Sequence, residues 1–203
     1  RSARGWYLIA YLQRDSADPA DALQATDRSL ALDSDTTTRA LRAALRMRAK
    51  RFAGAAEDYA VLADSLPEDA YVHYWLGMAR LAAGNCPAAR PPLSRAVRLQ
   101  PTWGQAHIAQ TRADASCGDG DARRSARQRA LQLLAASDNA DTRVTVAITE
   151  LGVGSADAAR DAIADVGEET DTSWLDDAFG RNAPPTVPFP PDSDRWLPVE
   201  VRR

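Results

Sequence analysis

Residue types return at intervals of 34 positions along most of this chain, and a period of that length constrains the fold more than composition does. The clearest unit is 70–103, AYVHYWLGMARLAAGNCPAARPPLSRAVRLQPTW, in which Leu76-Gly77 is followed by Gly84-Asn85, Ala89, Leu93, Ala96 and Pro101. One interval earlier, 36–69 places Ala43 where Gly77 stands, then Phe52, Ala55, Tyr59, Leu62 and Pro67. A further step back, 3–35 carries Trp6, Ile9, Ala10, Ala22, Leu30 and Leu32. Forward, 104–137 keeps Gly118-Asp119 at the turn, then Ala130, Leu131 and Leu134, with Arg123 where a small Ala is expected. A degenerate fifth unit, 141–166, retains Gly154, Ala159 and Ile163. Each unit reads as two helices joined at a turn, with small residues where the helices meet, and in 36–69 and 70–103 a proline stops the second. No alternating β-branched run of strand length interrupts the series.

The Leu-Gly, Gly, Ala, bulky, Ala, Pro series resembles the tetratricopeptide repeat, and the resemblance covers residues 3–166 of 203. It implies an all-α fold: an α-solenoid of four to five helix pairs over residues 1–167, followed by a Pro-rich tail over 168–203. It implies a bacterial, non-catalytic scaffold that binds a protein or peptide along the concave face lined by the first helices. The inward positions are then Tyr7 and Tyr11, next Ala40, Ala44 and Met47, then Tyr71, Tyr74, Trp75 and Met78, and last Ile108 and Arg112. Four of the five tyrosines fall on that surface, and Tyr59 falls in the core. Aromatic side chains supply large contact area with a polar handle. Family members that hold chaperone tails use Lys and Asn where this chain has Tyr or Ala, so an apolar or aromatic peptide is the better expectation.

Composition narrows the partners. Formal net charge is −3 and the pI about 5.4, which argues against nucleic acid. Of 25 basic residues only Lys50 is a lysine, and there are 41 alanines, the best helix former. Hydrophobic residues make up 45%, enough for a core, yet no run reaches a membrane helix, so no membrane insertion within this chain is expected.

Enzymatic groups do not converge. His73 and His107 are one interval apart and occupy equivalent places on successive helices, where neighbouring axes lie about 8–10 Å apart, so both read as structural. No phosphate loop or nucleophile elbow is present, and neither catalysis, a cofactor nor a metal is expected. In a stacked solenoid, Cys86 and Cys117 fall on neighbouring turns of one edge, where a disulfide could form; two reduced thiols are the alternative. A bridge would point to an oxidising, periplasmic compartment, with a cytoplasmic location as the alternative.

Two local features carry their own expectations. Pro91 and Pro92 lie beyond the first turn of their helix, which predicts an irregular segment from Cys86 to Pro92. The tail holds Trp174, Phe179, Phe189 and Trp196, and is expected to pack back on the array, capping its last pair or entering the groove. The chain starts at Arg1 without Met, which reads as a piece of something longer: an envelope-associated assembly, a membrane-anchored regulator or an accessory array of an enzyme.

Overall fold

The computed structural model describes residues 2–16, 18–167 and 170–185. Their helices are α1 (Ala3–Leu12), α2 (Ala20–Leu30), α3 (Thr36–Arg48), α4 (Phe52–Ser65), α5 (Ala70–Ala82), α6 (Cys86–Leu99), α7 (Gly104–Cys117), α8 (Gly120–Ala136), α9 (Ala140–Gly152), α10 (Ala156–Ile163) and α11 (Asp176–Arg181). A 3-10 turn, Ser173–Leu175, leads into α11, and no strand occurs among the described residues. Each helix from α1 to α10 packs on its neighbours in sequence, α7 also lies along α9, and the result is a stack of five helix pairs.

Starts are set by side chains that accept from the otherwise unpaired first amides. Ser2, Asp35, Asp69, Asn85, Asp119 and Asn139 fill this role for α1, α3, α5, α6, α8 and α9. Burial would raise the pKa of the Asp35 carboxyl, but bonds from the amides and hydroxyls of Thr38 and Thr37 hold it below the ordinary value.

Small residues bring the two helices of a pair together. A Cβ on Gly77 would lie 2.5 Å from Cγ of Leu93 and 3.2 Å from the carbonyl oxygen of Ala89, so α5 and α6 meet where only glycine fits. Ala10 and Ala43 hold the corresponding places in α1 and α3, both fully buried.

The turns of the third and fifth repeats contain a left-handed residue, Gly84 (φ 76°) and Gly154 (φ 84°), whereas Gly118 in the fourth is extended (φ −75°). One interval before Gly84 the left-handed conformation falls on Lys50 (φ 55°), where a side chain crowds the backbone. Lys50→Gly is therefore expected to stabilise the chain by about 0.5–1 kcal/mol. The check is a rise in the denaturation midpoint; a fall would mean that the Lys50 side chain contributes more than the strain costs.

The expected irregularity in the third repeat does not occur. α6 runs unbroken from Cys86 to Leu99, with Pro91 and Pro92 inside it. Proline at 92 removes the donor that would meet the Ala88 carbonyl, and Nη1 of Arg80 donates to that oxygen instead, at 2.9 Å. Pro92 is buried in the packing and Pro91 faces solvent. The same clamp recurs one interval earlier, where Nη1 of Arg46 donates to the Gly54 carbonyl at 2.9 Å.

The composition break near 168 is not the end of the helical packing. The 3-10 turn and α11 begin about one interval after α9, and Leu175 and Ala178 are buried. Leu175 belongs to a cluster with Ala115, Ala126, Val144 and Ile148, against which Trp174 and Phe179 pack. Ala178 joins Ala147, Leu151 and Ala159. Nδ2 of Asn182 donates to the Gly154 carbonyl at 3.1 Å. Phe189 and Trp196 lie outside the described residues.

Candidate protein-interaction surface

The aromatic residues of the third repeat are brought together, and a residue missed in the sequence completes the group. The Tyr71 ring stacks on Trp103, with centroids 6.2 Å apart and planes 10° from parallel. Tyr74 lies 4.6 Å from the same indole. Trp75 meets Tyr74 and Tyr71 edge-on, at 5.2 and 6.0 Å. Trp103 directly precedes α7, two residues after the closing Pro101, so the stack spans two repeats. Its signal in the sequence was a large aromatic at the junction, a place the repeat pattern leaves open.

Burial divides the expected groove. Tyr74, Trp75 and Met78 are buried in the central core, as is Met47 of α3. Arg112 is buried too: its Nε donates to Oγ1 of Thr145 at 2.8 Å and its Nη2 to the Asp141 carbonyl at 2.8 Å, joining α7 to α9. α7 lies along α9 and touches α5, so positions of these first helices aimed at one another lose their surface. Tyr71 and Ile108 stay half-buried and Tyr11 exposed. Tyr7 and Tyr11 stack on one another at 6.0 Å, apart from the Tyr71 cluster, with the Arg14 guanidinium 4.0 Å from the Tyr11 ring centroid. What remains open around Tyr71 is a cleft of about 650 Å³, lined by residues 65–71 together with Leu99 and Gln100.

No protein-family model matches the sequence, and no curated protein matches it either. Among solved structures, the chain is similar to a thermophilic TPR protein from Thermus thermophilus, with a TM-score of 0.58 and 18% identity. The match covers 89% of this chain and 98% of that one. The fold is a tetratricopeptide-repeat solenoid. In its terms α1, α3, α5, α7 and α9 are the first helices, and α2, α4, α6, α8 and α10 the second.

The two histidines serve the joints of this TPR array. Nε2 of His73 donates to the Pro67 carbonyl at 2.9 Å, and Nε2 of His107 to the Pro101 carbonyl at 2.8 Å. A carbonyl oxygen only accepts, so Nε2 carries the proton in both. Each imidazole ties the start of a first helix to the proline that ends the helix before it.

Cys86, the first residue of α6, and Cys117, the last of α7, are joined by a disulfide with Cα atoms 5.9 Å apart. Among the described residues, no group of three or more His, Cys, Asp or Glu side chains is placed to hold a metal ion. No described helix is long and apolar enough to cross a membrane.

Proposed function

We propose that the chain is a non-catalytic protein-interaction scaffold that holds a peptide or partner segment against Tyr71, within an envelope-associated bacterial assembly. The observation that carries this reading is the Tyr71–Trp103 stack beside the open cleft, because a ring fixed from behind offers its other contacts at little entropic cost. Tyr74 and Trp75 support it from the core, and Tyr7, Tyr11 and Ile108 extend the half-exposed surface along the first helices. The likeness to another TPR protein supports the scaffold part of the reading. The disulfide favours an oxidising, extracytoplasmic compartment. In the same reading, residues 174–182 of the tail cover the last repeats and leave the Tyr71 cleft to the partner.

The test is capture of the partner from an extract of the native cell, with the chain immobilised. Tyr71→Ala is expected to reduce capture roughly tenfold, in line with loss of an aromatic hot spot. Undiminished capture by a Tyr71→Ala chain with an unchanged melting temperature would sink the assignment of this surface.

A further inference from the structure

The fourth repeat departs from the two before it at Arg123. The fourth residue of α4 and of α6 is Ala55 and Ala89, both fully buried, and the eighth is Tyr59 and Leu93, buried too. In α8 those places hold Arg123 and Arg127, one turn apart on one face. Ala126 and Ala130 are buried instead, and Ala122 lies where a Cβ on Gly118 would meet it. α8 therefore packs through a neighbouring stripe, which turns Arg123 and Arg127 toward the end of α9. There Nε of Arg127 donates to Oε1 of Glu150 at 2.7 Å. Arg123 finds no such carboxylate among the described residues, and its Nε, closed to solvent, has no acceptor.

Arg123 lines a cleft of about 520 Å³ between the start of α8, the turn after α9 and the residues that follow α11. Its apolar lining includes Leu151, Val153 and Pro184, with Val153 41% exposed. No acidic residue lines it. Arg124 lines it as well, but Asp121 already pairs with that arginine, and Nδ2 of Asn182 is spent on the Gly154 carbonyl. Arg123 is thus the guanidinium of the cleft left without a counter-charge among the described residues. Its planar fork fits a single carboxylate through two parallel hydrogen bonds. A phosphate dianion fits less well, because Asp121 and the capping Asp119 sit at the same end of α8 and would repel it.

We infer that this cleft binds an acidic residue of a partner segment, its carboxylate on Arg123 and an apolar neighbour against Val153. The bound carboxylate supplies an acceptor to a guanidinium that otherwise keeps a buried donor unmet, and such a charge-assisted contact is among the stronger ones. The site shares no residue with the Tyr71 cleft. That one opens at the joints between repeats and this one at the turns inside them, on the opposite edge of the stack. It stands whether or not Tyr71 holds a partner.

The probe is a pair of fluorescein-labelled synthetic peptides, GVPDVPG and GVPNVPG, each titrated with the full chain and followed by anisotropy. Saturable binding of the aspartate peptide is expected, weaker at higher salt and unchanged by Tyr71→Ala. It should be about tenfold tighter than that of the asparagine peptide, the ratio one charge-assisted contact supplies. Arg123→Gln should weaken it about tenfold, and Arg123→Lys, which keeps the charge but loses the fork, about threefold. Val153→Ser removes the apolar contact and should weaken it about threefold. Neither Arg123 nor Val153 is buried, so melting should not change; Arg123→Lys is the second variant should Arg123→Gln misfold. Equal affinity for the two peptides, equal binding by the Arg123 variants, or no binding at all would overturn the proposal. Inorganic phosphate that displaces the aspartate peptide better than chloride of equal ionic strength would give the site to phosphate and overturn it. A gain of peptide affinity in Asp192→Asn/Asp194→Asn would show that the chain's own carboxylates compete for Arg123, and overturn it equally.

Discussion

Asp58→Ala is expected to lower the free energy of unfolding by about 3 kcal/mol. Asp58 sits on α4 at 2% exposure and receives three guanidinium groups from α3. Arg42 binds it with two donors, Nε at 3.0 Å and Nη2 at 2.6 Å. Nη1 of Arg46 donates at 2.8 Å and Nη1 of Arg39 at 3.4 Å. These arginines lie at 39, 42 and 46, so one stripe of α3 converges on a single carboxylate. Removing the carboxylate leaves three positive charges facing one another in a joint largely closed to water. The guanidinium groups keep some solvent contact, which places the loss at the lower end for a broken buried pair. Asp58→Asn keeps the shape and one acceptor and should lose less. Added salt should restore part of the Asp58→Ala loss by screening the arginines. Urea unfolding of the three chains in low and high salt provides the measurement. A loss below about 1 kcal/mol would put the cluster in the class of surface pairs. Asp157, fully exposed beside Arg160, is the control, and its removal should leave the midpoint unchanged.

What the sequence shows about this molecule follows from what repeats and what does not. Small residues at fixed intervals report the closest helix contacts, so Gly77, Ala43 and Ala10 were readable as packing positions before any coordinates. The buried ionic joints were not. Asp114 and Glu150 hold the eleventh place of α7 and α9, but α3 and α5 have Arg46 and Arg80 there and Asp58 lies on a second helix, so the carboxylates that bind arginine across helices follow no position kept along the array. Nor did the period show that a guanidinium could stand in for the hydrogen bond lost at Pro92, since Arg80 and Ala88 meet only in three dimensions. The groove was legible as a set of faces but not as a set of exposures. Whether Met78 or Tyr71 remains open depends on how near the next first helix comes, a distance that spacing in the sequence does not encode. Arg112 shows the limit best: a residue expected to meet a partner spends its donors on Thr145 and Asp141.

Breaking the disulfide is expected to have a comparable effect, with a local signature that the Asp58 variant lacks. Cys86 and Cys117 close a loop of 31 residues, for which chain entropy alone gives about 3–4 kcal/mol. Cys86→Ala/Cys117→Ala, or reduction of the native chain, should therefore lower the melting temperature by on the order of 10 °C. The array is stabilised mainly by neighbour-to-neighbour contacts, so the change should begin at the α6–α7 joint. Amide exchange is expected to accelerate first at the start of α6 and the end of α7, while α1–α4 keep their protection. The start of α6 is the vulnerable point, because Pro91 and Pro92 remove two backbone donors that would bond to its first turn. Uniform loss of protection along the whole chain would show one cooperative unit in place of coupled repeats. An unchanged melting temperature on reduction, with two free thiols counted in the untreated chain, would remove both the staple and the argument for an oxidising compartment that rests on it.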